Sequence, residues 1–193
     1  MKNRFCHVVL NIPSIEEWTI WASENGVDSR IVAFLNFKPS LLFRFDPENK
    51  EQAFPTPRSW EFASKMIKGI DIKDEMFEMA VASAVGQGTA IEFQAFCKLN
   101  RKVDINEIIK NPSKVKEIQE IDLKYFVVGA LADRYVRDKK LLQVMLKVAL
   151  ELEPEFGVLL LRLVKGADEK EFGKVINMKE WDELSKRYGK YVL

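Results

Sequence analysis

The 193-residue chain contains one histidine and two cysteines. One imidazole cannot supply the His clusters of catalytic zinc sites, and His7 sits among apolar neighbours in "FCHVVLNI". Cys6 and Cys97 are far apart and form no C-x-x-C, so both read as small apolar residues in a reducing compartment. No apolar run approaches the ~20 residues of a membrane-spanning helix. The longest, "GVLLL", is closed by Arg162. The start, "MKNRFCHVVLNIPSIEEW", is too short in apolar residues for a secretory leader. A cytoplasmic protein without membrane segments is therefore expected. No excess of one charge exists either: Lys and Arg number 30, Asp and Glu 29. That balance gives no reason to expect a polyanion as the main partner. Basic stretches with tyrosine occur in "DRYVRDKKLL" and "LSKRYGKYVL", but flanking acids make them solvated helix faces rather than a nucleic-acid surface.

Catalytic signatures are missing as well. No G-x-x-x-x-G-K-[ST] follows a strand, and "VGQGTA" lies between helices and has no lysine. No strand ends in the acidic pair of a magnesium site. No Ser/His/Asp or Cys/His set can be argued.

What the chain has is helix. Apolar residues make up 47%, enough for a core. Apolar spacing and capping residues predict helices over 14–26, 28–37, 39–45, 58–70, 73–86, 88–100, 123–136, 139–152 and 155–166. Two short turns flank Asn111-Pro112, and an amphipathic stretch runs over 169–193. The helix over 155–166 is apolar nearly all round and is expected to be buried. Met76, Met79, Ala80 and Ser83 fall at helical spacing. Between Asp46 and Pro57, three prolines and no periodicity predict an exposed loop. "FCHVVLNI" is the one strand-like segment, and a lone strand needs partners for its backbone.

Two arginines stand out by position. Arg4 precedes "FCHVVLNI". Arg58 follows Thr56-Pro57, a cap and a first-turn proline, at the start of a helix. A helix N-terminus already carries partial positive charge, so an arginine there is not favoured by the dipole. Either it is a solvated surface residue or it shares an anion with the helix terminus.

Three segments, "NRFCHVVLNI", "IPSIEEWTIWASENGVDSRIVAFLNFKPSLLFRFDP" and "AFPTPRSWEFASKMI", resemble in order and spacing the C-terminal part of MoxR-like AAA+ ATPases. The last is similar to the Pro-Arg "sensor 2" motif that opens a lid helix. The resemblance covers roughly the first 70 residues. It implies a mainly α fold, a helical-bundle lid with one short N-terminal strand left from a missing α/β core. Residues 1–13 would be the terminal strand segment of that core, 14–85 the lid, and 86–193 a helical extension packed on it. Arg4 would match the arginine finger and Arg58 the sensor 2 arginine that contacts nucleotide phosphates. The chain would bind no cofactor alone; ATP and Mg²⁺ are implied for the completed ATPase. Its partner would be a P-loop core fragment or subunit, and the completed machine a homo-oligomeric ring. The chain would be a truncated gene, half of a split ATPase or an expressed fragment. The competing expectation is a self-standing helical interaction module without nucleotide dependence, its partners binding apolar helices or a surface around Trp18, Trp21 and Trp60.

Overall fold

The computed structural model describes residues 11–48 and 53–192. Arg4, Cys6, His7 and most of the expected strand "FCHVVLNI" lie outside the described residues. Among the described residues there is no strand; the chain is a helical bundle.

The first two helices, α1 (Ile15–Glu24) and α2 (Ser29–Phe37), begin at the caps expected. Ser14 and Glu17 form a reciprocal capping box, with the Ser14 N–H donating to Glu17 at 2.8 Å. Asp28 caps α2 and also pairs with Arg30, whose Nη2 lies 2.6 Å from its carboxylate. Burial works against the charge on Arg30, yet hydrogen bonding and the charge of Asp28 hold its pKa above the ordinary value.

After α2 the expected helix over 39–45 shrinks to one 3-10 turn, Pro39–Leu41. The reason is a partner farther along the chain. The Arg44 N–H donates to the Pro55 carbonyl at 3.0 Å, tying the segment to the start of the next helix instead of extending its own turn. The described parts of the proline-rich stretch are irregular, as expected.

Helices α3 (Pro57–Met66), α4 (Glu75–Val85) and α5 (Gln87–Cys97) follow. Gly86, at φ 87°, ends α4 and lets α5 begin at once, a backbone conformation that a side chain would strain. Then come α6 (Ile105–Lys110), a 3-10 stretch over Pro112–Glu117, and the long α7 (Ile121–Arg137). The C-terminal part consists of α8 (Leu142–Glu151), α9 (Pro154–Ala167), the short α10 (Glu169–Phe172) and α11 (Lys179–Val192).

One hydrophobic core joins these elements. Its densest aromatic part is Phe34 of α2 set 5.8 Å from Trp60 of α3 and 5.3 Å from Phe93 of α5, with Phe77 of α4 stacked 5.9 Å from Phe93. Such ring pairs add to plain burial. The Trp60 indole N–H donates to the Leu41 carbonyl at 2.8 Å, so this buried ring keeps its polar atom satisfied. Cys97 is buried, as its reading as an apolar residue requires, and burial pushes its thiol pKa up.

Helix α2 packs along α7. A Cβ on Gly129 would lie 2.8 Å from the Cβ of Ala33, so only glycine permits this approach. The Ser29 hydroxyl donates across the seam to the Gly129 carbonyl at 2.9 Å. Helix α9 is buried as expected, between α1, α7, α8 and α11. Gly166 of α9 meets α1 more closely still; a Cβ there would lie 2.4 Å from the Ser23 carbonyl oxygen.

Candidate functional site

Arg58 is held by the start of α3. Thr56 and Ser59 cap each other reciprocally: the Ser59 N–H donates to Thr56 Oγ1 at 2.9 Å, and the Thr56 N–H donates to Ser59 Oγ at 2.8 Å. Pro57 fills the first helical position, where a missing N–H goes unnoticed. Further along, Trp60, Ala63 and Ile67 are fully buried and fix the helix on the core. Ser64 accepts a hydrogen bond from the Asp28 N–H at 2.8 Å, which ties α3 to the start of α2. None of these contacts needs Arg58.

Its side chain is exposed and lies over the Phe62 ring, 5.5 Å from guanidinium carbon to ring centroid. It borders a shallow depression of about 300 Å³ between the N-terminal ends of α1 and α3, lined also by Trp18, Trp21, Glu17 and Glu61. Both carboxylates are already engaged. Glu17 accepts from Ser14, and Glu61 pairs with Lys65 at 2.5 Å. Among the described residues Arg58 therefore makes no ion pair. A guanidinium in the first turn of a helix, without an acid partner, is free to meet an anion.

The surface beyond Arg58 was not legible beforehand. Phe62 and Met66 of α3 are each 46% exposed, and Met76 and Met79 of α4 are 56% and 64% exposed. The Ser83 hydroxyl reaches Met66 Sδ at 3.7 Å and links the two helices on this side. The Met76–Met79–Ser83 spacing thus marks the outer face of α4, while Phe77, Ala80, Val81 and Val85 form the inner one. From Met76 to Val85 almost every residue is apolar, so periodicity alone could not choose between the faces.

The tryptophan surface needs correction. Trp18 and Trp60 are buried, and of the three rings only Trp21, at 39%, is open to solvent. Trp18 on α1 and Trp60 on α3 both point to the core, the more frequent fate of a helical tryptophan. Of the tyrosines in the basic stretches, Tyr135 and Tyr188 are buried and Tyr191 is exposed. Burial pushes the Tyr135 hydroxyl pKa up to about 12. Arg137 and Arg187 pair with Asp133 and Glu183 on their own helices.

A larger depression, about 560 Å³, lies between α1, α9 and the end of α11. Two of the three cations that line it, Arg162 and Lys165, have a structural explanation. Arg162 Nε donates to the Tyr191 carbonyl and Lys165 Nζ to the Val192 carbonyl, both at 2.9 Å, satisfying carbonyls that the last turn of α11 leaves open. Another charge is buried at the α7–α9 junction. Lys124 pairs with Glu153 at 2.5 Å, and this hydrogen bond lowers the Glu153 pKa.

Among the described residues no helix is long and apolar enough to cross a membrane. Comparison with protein-family models, with curated proteins and with solved structures gives no match to this chain.

Proposed function

We propose that this chain is the nucleotide-responsive lid module of a MoxR-like AAA+ ATPase and hydrolyses ATP only when completed by a P-loop core. The observation that carries the reading is Arg58: exposed, in the first turn of a capped helix, not needed for the fold, and without an acid partner among the described residues. In the completed ATPase, Arg58 is the sensor 2 arginine that contacts the nucleotide phosphates, and Arg4 is the finger that reaches a neighbouring subunit's nucleotide. The segment "FCHVVLNI" is then the last strand of the core's sheet, and the machine is a cytoplasmic ring. ATP and Mg²⁺ are held by the core; this chain supplies guanidinium charge where negative charge develops on the transferring phosphoryl group.

The test is reconstitution. The isolated chain is expected to show no ATP hydrolysis. Mixing it with a P-loop core fragment of a MoxR-like ATPase should restore turnover. Arg4→Ala or Arg58→Ala should then remove most of it, by a factor on the order of 10³ for the finger, as in better-studied phosphoryl-transfer systems. Restored turnover indifferent to both changes would sink the assigned roles.

A second reading, a self-standing helical interaction module, is favoured by a different observation. The helices from α1 to α11 share one hydrophobic core, and the outer face of α3 and α4 stays apolar and open. This reading expects the chain to bind its partner equally with and without nucleotide and core.

A further inference from the structure

The chain has six methionines, of which Met1 lies outside the described residues. Met145 of α8 has no measurable exposure, and Met178 is partly buried against the core. The other three are open to solvent. Met66, at the end of α3, is nearly half exposed, and Met76 and Met79 of α4 more than half. They share one side of the fold. Helical spacing sets Met76, Met79 and Ser83 along one stripe of α4. The Ser83 hydroxyl lies 3.7 Å from Met66 Sδ and so brings the α3 thioether to the end of that stripe. It holds the sulfur only loosely, because its single proton goes to the better acceptor, the Ala80 carbonyl at 2.8 Å.

Core packing on these two helices is carried by other residues. Trp60 and Ala63 of α3 and Phe77, Val81 and Val85 of α4 are fully buried, and no methionine stands among them. The open thioethers can therefore change chemically at little cost to the fold. An exposed thioether takes an oxygen atom from hydrogen peroxide. A sulfur lone pair attacks one peroxide oxygen, an S–O bond forms and the O–O bond breaks. The proton on the transferred oxygen passes to the departing hydroxide, which leaves as water. Sulfur loses two electrons and the peroxide gains them. Each sulfoxide is polar where the thioether was apolar.

We propose that Met66, Met76 and Met79 form a reversible oxidation site for hydrogen peroxide, which turns the outer α3–α4 face from apolar to polar and leaves the core unchanged. The setting suits a polar product, since Arg58 and Lys65 already lie over the Phe62 ring, one turn before Met66. Methionine sulfoxide reductases return each thioether, one enzyme for each sulfoxide epimer. Oxidation of this face depends on neither the lid reading nor the interaction-module reading.

Peptide mapping by mass spectrometry, during exposure of the full chain to dilute hydrogen peroxide, tests the proposal. Met76 and Met79 should gain oxygen first and Met66 after them. Met145 should react at least about tenfold more slowly than Met79, because it must wait for the fold to open. With the outer three oxidised, the chain should melt within about 2 °C of the untreated one. It should also elute earlier from a hydrophobic-interaction column. Methionine sulfoxide reductases A and B, supplied with a thiol reductant, should restore the original retention. A variant carrying Met66→Leu, Met76→Leu and Met79→Leu should keep both its melting midpoint and its retention through the same treatment. Met145 oxidised as fast as Met79 overturns the inference. So does a melting midpoint more than about 5 °C lower once the outer three are oxidised. A retention change that persists in the leucine variant, or that the reductases cannot reverse, overturns it as well.

Discussion

The two sides of α3 and α4 are made of similar residues and have opposite fates. On the inner side Trp60, Ala63, Ile67, Phe77 and Val81 are closed against α2 and α5, with no measurable exposure. On the outer side Phe62 and Met66 are nearly half open, and Met76 and Met79 more than half. Hydrophobicity does not separate these sets; shape and neighbours do. The inner side meets an aromatic cluster and a hydrogen-bond acceptor for the Trp60 indole. On the outer side Arg58 and Lys65 lie over the Phe62 ring, and the Met66–Ser83 contact joins the two helices. An apolar face that folding leaves open is a surface available for association.

If that contrast is right, the interior should be intolerant and the outer face tolerant. The largest effect is expected from Trp60→Ala, which removes the central ring and leaves the Leu41 carbonyl without its donor. It should destabilise the chain by about 3–5 kcal/mol in chemical denaturation. A loss below about 1 kcal/mol would break the contrast at its strongest point.

Gly129→Ala comes next. Its new methyl would press on Ala33, and the α2–α7 seam should lose about 1–3 kcal/mol. Adding Ala33→Gly should return part of that loss, because the two changes share one contact. Additive losses in thermal melts would place the strain elsewhere.

A smaller effect separates buried from open charge. Glu153 has its pKa lowered by Lys124, so its contribution to stability is fully present above the ordinary glutamate value of about 4.3 and is lost as pH falls through the lower folded value. Because Glu153 is largely exposed, the loss should stay below about 1 kcal/mol. Glu153→Gln should flatten the acid limb of the stability curve by that amount; an unchanged limb would remove the pair from the account.

The smallest stability effect is expected on the outer face. Met79→Lys should change stability by no more than about 0.5 kcal/mol, since the side chain supports no packing within the chain. A larger loss would mean that the outer face is part of the fold.

Much of the fold could be read in advance for a physical reason: helix starts are local. Ser14, Asp28 and Thr56 act within three residues of themselves, and each caps the helix expected of it. The buried character of α9 was legible because apolar residues run nearly all round it, leaving Glu155, Arg162 and Lys165 as its few charges. The segment over 39–45 was misread as helix because its backbone partner, Pro55, lies more than ten residues away. For Trp18 and Trp60 helical spacing favours the core over a surface, and neighbours from other helices cover both. For the candidate site, the cap and the position of Arg58 were legible. Its lack of an acid partner was not, because Glu17 and Glu61 border the same depression and pair instead with Ser14 and Lys65.

The sequence by itself determined where the helices begin, that they have enough apolar surface for one core, and that Arg58 stands in a first turn whose cap does not need it. These follow from interactions among residues a few positions apart. The tertiary structure alone decided which apolar residues go inside. It turned Met76 and Met79 outward and Phe77 inward, set Gly129 against Ala33, and brought Ser83 of α4 against Met66 of α3. Those outcomes depend on which helices meet at which angle, a competition among many distant contacts that no local pattern encodes.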